Sequence, residues 1–121
     1  MPTIEIPGEM PDFNTIVDKS KQHWAAYSQM KKENTNLVHM IAQNYLEPMT
    51  KVDLHFKWLC TSRRKDKDNI IAGQKFIIDG LVKAGILEND GWKQIGKLTH
   101  EFDVDKENPR VLVEITEVGG G

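Results

Sequence analysis

Apolar and polar residues change rhythm several times along this chain, and each rhythm predicts an element. "TIEI" (Thr3 to Ile6) alternates and reads as a short strand, closed by Pro7 and Gly8. "PDFNTIV" predicts a helical turn capped by Asp12 or Asn14. From about His23 to Leu46, the residues Trp24, Tyr27, Met30, Leu37, Met40, Ile41 and Tyr45 recur mostly at steps of three, four and seven. That spacing predicts an amphipathic helix with Trp24, Met30 and Met40 in the core, interrupted around "KKENTN". Pro48 lies just beyond its end.

"KVDLHFKWL" (Lys51 to Leu59) is the clearest strand, with Val52, Leu54, Phe56 and Trp58 on one side and Lys51, Asp53, His55 and Lys57 on the other. A helix is expected from about Ile70 to Ala84, its face formed by Ile70, Ile77, Leu81 and Ala84. Lys83 falls in its last turn and Gly85 at its C-terminal cap, while Gly73 weakens its first turns. "GILENDGW" reads as a turn. "WKQIGKLTHEFDV" predicts a bent strand with Gly96 as a bulge, and "PRVLVEITEV" a last strand from about Arg110. The order of elements predicts one α+β domain over residues 1–118, a small mixed β-sheet with helices packed on one face. The glycines at 119–121 read as a flexible tail.

Composition sharpens this picture in three ways. At 121 residues the chain can bury a core without disulfide or metal staples. Cys60 is the only cysteine, which excludes an internal disulfide and a thiolate zinc site and suits a small buried residue. No apolar run approaches the ~20 residues of a membrane span, and the first residues lack the basic and apolar regions of a signal peptide. A cytoplasmic protein with no membrane partner is expected.

The net charge of −2 hides an uneven distribution. Residues 1–18 hold 4 acids and no bases, for −4; residues 19–75 hold 11 bases and 5 acids, for +6; residues 76–121 hold 5 bases and 9 acids, for −4. The middle of the chain can therefore present a cationic surface on a mildly acidic protein.

"SRRKDKDNI" (Ser62 to Ile70) concentrates that charge. Asp66 and Asp68 stand between a strand's end and a helix's start, and Asp90 stands in the turn after that helix. Mg²⁺ prefers oxygen ligands and keeps several waters, so two or three carboxylates plus a substrate phosphate suit it. A bound ion of this kind polarises phosphoryl oxygens and activates water. Lys75 can add positive charge where a transition state gathers negative charge. Arg63, Arg64, Lys65 and Lys67 can hold a phosphodiester backbone, with Lys31 and Lys32 less directly placed. The plainer alternative is that D-x-D at a helix start serves capping and turn chemistry. A calcium-binding EF-hand loop is excluded, because Ile71 and Ile77 stand where glycine and glutamate are needed. His23, His39, His55 and His100 lack metal-ligand spacing, and each reads as surface or strand polarity. No phosphate-binding glycine loop and no Ser/His/Asp or Cys/His system is present.

With "KDKDN" (Lys65 to Asn69), "KFIIDGLVKAG" (Lys75 to Gly85) and "ILENDGW" (Ile86 to Trp92) in view, the sequence resembles the RusA family of Holliday junction endonucleases of phages and prophages. The match runs from about Arg63 to Trp92, and "PGEMPDFN" is more weakly similar to the family's N-terminal strand and its asparagine, here Asn14. The resemblance places Asp66, Asp68 and Asp90 on the catalytic, metal-binding aspartates, Lys75 on the catalytic lysine and Asp79 on the helix aspartate. Lys75 stands a few residues further from Asp68 than in the family's best-known pattern. The implied protein is a homodimer that binds four-way junctions through residues including Asn69. It would nick two strands symmetrically with Mg²⁺ or Mn²⁺, through in-line attack by a metal-activated water, in DNA recombination and repair. A two-fold dimer suits a two-fold substrate.

A distance argument then arises. A helix over all 15 residues from Ile70 to Ala84 spans roughly 22 Å. The return from Ile86 to Asp90 reaches at most about 16–18 Å. Either the helix begins after Gly73, or Asp90 completes the partner subunit's site; the second is the expectation. Two rival functions stand beside the nuclease: a non-catalytic branched-DNA-binding module of the same fold, and a phage interaction protein whose acidic cluster is merely solvated.

Overall fold

The computed structural model describes residues 2–118, so the expected tail at 119–121 lies outside the described residues. The elements in chain order are β1 (Thr3–Pro7), α1 (Phe13–Gln22), α2 (Trp24–Tyr45), β2 (Val52–Cys60), α3 (Lys67–Ile71), α4 (Gln74–Lys83), β3 (Ile95–Val104) and β4 (Arg110–Glu117). The strands form one mixed sheet in the order β1-β4-β2-β3. β2 runs parallel to β3, while β4 is antiparallel to both β1 and β2.

The alternation in each strand sets the sheet's two faces. Register lines up Ile4, Val113, Phe56 and His100 in one row, and Ile6, Val111, Trp58 and Phe102 in the next. Apart from His100 and Phe102 on β3, all of these are buried. Full burial of each large apolar side chain contributes roughly 1.5–3 kcal/mol, so this inner face anchors the helices. β3 is an edge strand, and the helices leave its inner side partly uncovered, with Leu98 and Val104 exposed. His100 departs from the surface role expected of it. Its ring stacks on Phe56 at 5.2 Å and its Nδ1 accepts a hydrogen bond from Trp58 Nε1 at 3.0 Å. Burial, then the nearby His55, lowers its pKa.

α2 runs without the interruption expected at "KKENTN". Its buried residues are Thr35, Val38 and Ala42, whereas Trp24 is 76% and Met40 63% exposed. Met40 lies two residues from Val38, about 200° around the helix, and so points away from the core. Trp24 belongs to the first half of the helix, where no residue from 24 to 34 is buried. Both were expected inside; Met30 does pack partly buried against the core.

The second long helix of the pattern is two helices. Gly73 N–H bonds to the Ile70 carbonyl at 3.1 Å and Phe76 N–H to the Gly73 carbonyl at 3.2 Å, the tight i→i+3 spacing that separates α3 from α4. A Cβ on Gly73 would lie 2.6 Å from Met10 Cβ, so the bare backbone lets the N-terminal segment close over this joint. α4 ends as expected, with Gly85 at φ 77° and Ile86 N–H bonded to the Leu81 carbonyl at 3.0 Å. The bulge at Gly96 is also present, where pairing steps from Val52–Ile95 to Leu54–Leu98 and Lys97 N–H bonds to Asp53 Oδ1. No helix among the described residues is long and apolar enough to cross a membrane.

α4 packs on α2 so closely that a Cβ on Gly80 would meet Val38 Cβ at 2.5 Å. Gly→Ala inside a helix ordinarily gains about 1 kcal/mol. Overpacking here costs about 1–3 kcal/mol, and the contact is with a rigid Cβ, so the cost wins. Gly80→Ala is expected to lower the midpoint of thermal unfolding, as measured by calorimetry.

Candidate functional site

The start of α1 and the loop after β2 are held together by side chains of opposite sign. Asp12, 6% exposed, accepts a hydrogen bond from Thr15 N–H at 2.8 Å and so caps α1. Its other oxygen, Oδ2, lies 2.8 Å from Lys65 Nζ. Burial opposes its ionisation, but the Lys65 ammonium and the Thr15 bonds outweigh this and hold its pKa below the ordinary value. Lys65 is correspondingly raised, first by its hydrogen bond to Asp12. One residue on, Asn14 N–H donates to Asn69 Oδ1 at 3.0 Å. Two of the free N–H groups that begin α1 are thus satisfied, one by its own N-cap and one from α3.

This link sets the surroundings of the aspartates. Asp66, Asp68, Asn14, Asn69, Phe13 and the cations Arg64 and Lys65 line one open concavity of about 320 Å³. Asp68 Oδ1 accepts from Asn69 N–H at 2.9 Å. Neither Asp66 nor Asp68 has an ion-pair partner among the described residues. The partial positive end of α1 also faces this region through Asn14.

Asp90 is placed differently. The chain after α4 folds back, and Asp90 Oδ2 lies 3.4 Å from Lys75 Nζ in the first turn of α4. The same ammonium lies 3.1 Å from Asp79 Oδ1. The hydrogen bond to Asp79 chiefly, reduced by partial burial and aided by Asp90, raises the Lys75 pKa. Lys75 is therefore a permanent cation at neutral pH and is unsuited to act as a base. The helix breaks at Gly73, as the first alternative required, yet Asp90 turns to Lys75 and does not reach the concavity of Asp66 and Asp68.

The fit to a divalent cation rests on the donors present. Two unpaired carboxylates and neighbouring side-chain amides suit Mg²⁺, which takes one or two carboxylates and keeps its waters. No three His, Cys, Asp or Glu side chains among the described residues come together as a metal group. Asp66 and Asp68 share the concavity, and Asp90 does not line it.

The basic residues also divide. Lys65 is occupied by Asp12, and Asn69 by the backbone of α1. Lys67 sits over the Phe102 ring, 5.4 Å from its centroid. Arg63, Arg64, Lys31 and Lys32 are exposed and pair with no carboxylate among the described residues. Sequence reasoning offered Asp12 only as a cap. Its pairing with Lys65 joins positions 53 residues apart, and no local spacing signals that. Compared with known proteins, the chain matches no family model and no curated protein.

The Asp12 link yields a prediction. Its lowered pKa means that its contribution is present above the ordinary carboxylate value of about 3.9 and is lost as pH falls through the folded-state value. Asp12→Ala removes the cap and a charge-assisted bond, and is expected to cost about 1–3 kcal/mol at pH 7. The gap to the wild type should shrink below about pH 4 in urea unfolding measured across pH.

Proposed function

We propose that this chain is a RusA-like endonuclease that resolves four-way DNA junctions by paired, symmetric nicks with Mg²⁺ or Mn²⁺. The observation that carries the reading is the pair of un-neutralised carboxylates, Asp66 and Asp68, in a concavity bordered by cations. Asp66 and Asp68 would hold the divalent ion, which would supply Lewis-acid polarisation of the scissile phosphate.

The chain's own residues do the rest. Arg64 in the concavity, with Arg63 and Lys67 beside it, binds backbone phosphates, which fixes the register of the strand. Lys75, kept protonated by Asp79 and Asp90, does not line the concavity, and its role as a source of positive charge for the developing negative oxygens rests on the resemblance. Asp90 enters by holding Lys75 in place. A homodimer with a two-fold axis presents two such sites to two equivalent strands. The engagement of Asp90 by Lys75, away from Asp66 and Asp68, favours a second reading, a branched-DNA-binding module without catalysis.

Cutting assays on a four-way junction and a matched linear duplex separate the two. The nuclease reading expects paired nicks in the junction that require Mg²⁺ or Mn²⁺. Asp68→Asn should abolish nicking while the junction still shifts on a gel. Lys75→Gln should slow nicking by roughly 10²- to 10³-fold, the usual loss for one transition-state donor, with little change in affinity. A wild type that shifts the junction and leaves it intact supports the binding module. Undiminished cutting by Asp68→Asn overturns the catalytic assignment.

A further inference from the structure

A second groove, of about 320 Å³, opens between the loop after β2 and the end of β3. Arg63, Lys65 and Lys67 line it with Ile70, Phe102 and Val104. It also contains the Asp103 carboxylate, which already accepts a hydrogen bond from Val104 N–H. Lys65 lines both this groove and the Asp66–Asp68 concavity, so the two adjoin. Phe102 is half-buried on an edge strand, backed by the His100 ring at 6.3 Å, with the Lys67 ammonium on its face. Of the groove's cations, Arg63 and Lys67 have no carboxylate partner among the described residues, and such cations beside a supported aromatic ring are the combination that holds unpaired nucleotides: phosphates on the cations, a base on the ring.

We propose that this groove takes one unstacked nucleotide of the DNA strand that lies across Asp66 and Asp68, its phosphate on Arg63 and Lys67 and its base against Phe102. This deepens the nuclease reading and rests on it for the identity of the strand. It assigns Phe102 a role in preferring branched over continuous duplex, because a branch point gives up a base from its stack at less cost than a paired helix does.

The test uses Asp68→Asn protein, which is expected to leave DNA uncut, and 5-iodouracil placed either at a junction's branch point or in a short single strand. Irradiation should crosslink Phe102 in both, mapped by mass spectrometry. Phe102→Leu keeps an apolar side chain in the fold, checked by circular dichroism. It should lose the crosslink and weaken junction binding roughly 5- to 150-fold, with linear duplex affinity unchanged. Phe102→Trp should restore both. Tight junction binding with crosslinks only elsewhere overturns the proposal and leaves the nuclease reading intact. A crosslink from the single strand to Phe102 without any junction preference supports the groove and overturns its role in selecting branched DNA. Conversion of a dimer to monomers by Phe102→Leu, with no crosslink in the parent, assigns the groove to a second copy of the chain and overturns the proposal.

Discussion

Burying the Asp12 carboxylate between the start of α1 and the loop after β2 is costly unless its oxygens are satisfied. Both are, one by the Thr15 N–H and one by the Lys65 ammonium. Because these partners, Thr15 and Lys65, stand far apart in the sequence, the bond fixes more than a helix cap. It pins the 62–67 loop against the N-terminal segment, and Met10 packs against the bare backbone of Gly73 a few residues away. Asn69 repeats the link from α3. The joint holds α3 against the start of α1, while Asp68 is held within α3 by the Asn69 N–H and Asp66 precedes that helix without a side-chain cap bond.

The same joint sorts the charges. Lys65 is paired with Asp12, and Lys75 with Asp79 and Asp90, so two of the most suggestive lysines are held in place by carboxylates. Arg63, Arg64 and Lys67 pair with no carboxylate among the described residues, and Asp66 and Asp68 with no cation. Adjacent unsatisfied charges of both signs on an exposed loop are poor stabilisers of a fold, since exposed pairs contribute at most about 1 kcal/mol. They are well suited to a polyanion that arrives with a metal ion.

Much of the fold was legible because it is written locally. Alternation marked β2 and β4, the Gly85 stop marked the end of α4, and the glycine in β3 marked the bulge at Gly96. The failures share one cause, the dependence of exposure on what lies opposite. Trp24 and Met40 fit a helical stripe yet stay exposed, whereas Thr35 and Val38 are buried where α2 runs close to Gly80 of α4. His100 looked polar and lies within an aromatic row, because pairing with β2 placed it beside Phe56 and Trp58. At the site, the break at Gly73 was legible as a weak first turn. The capture of Lys65 by Asp12, and of Asn69 by Asn14, was not, since both are long-range contacts. The spacing of the aspartates suggested a trio; the fold places two in one concavity and gives the third to Lys75.

The account turns on Asp66 and Asp68 gripping a divalent ion together. Titrating Mn²⁺ into isotope-labelled protein and following paramagnetic broadening of the amide signals measures this without DNA or turnover. Broadening centred on residues 66–69 and on Asn14, reversed by excess Mg²⁺ and absent in Asp68→Asn, is the predicted result. Broadening that is centred elsewhere, or that survives in Asp68→Asn, would contradict it.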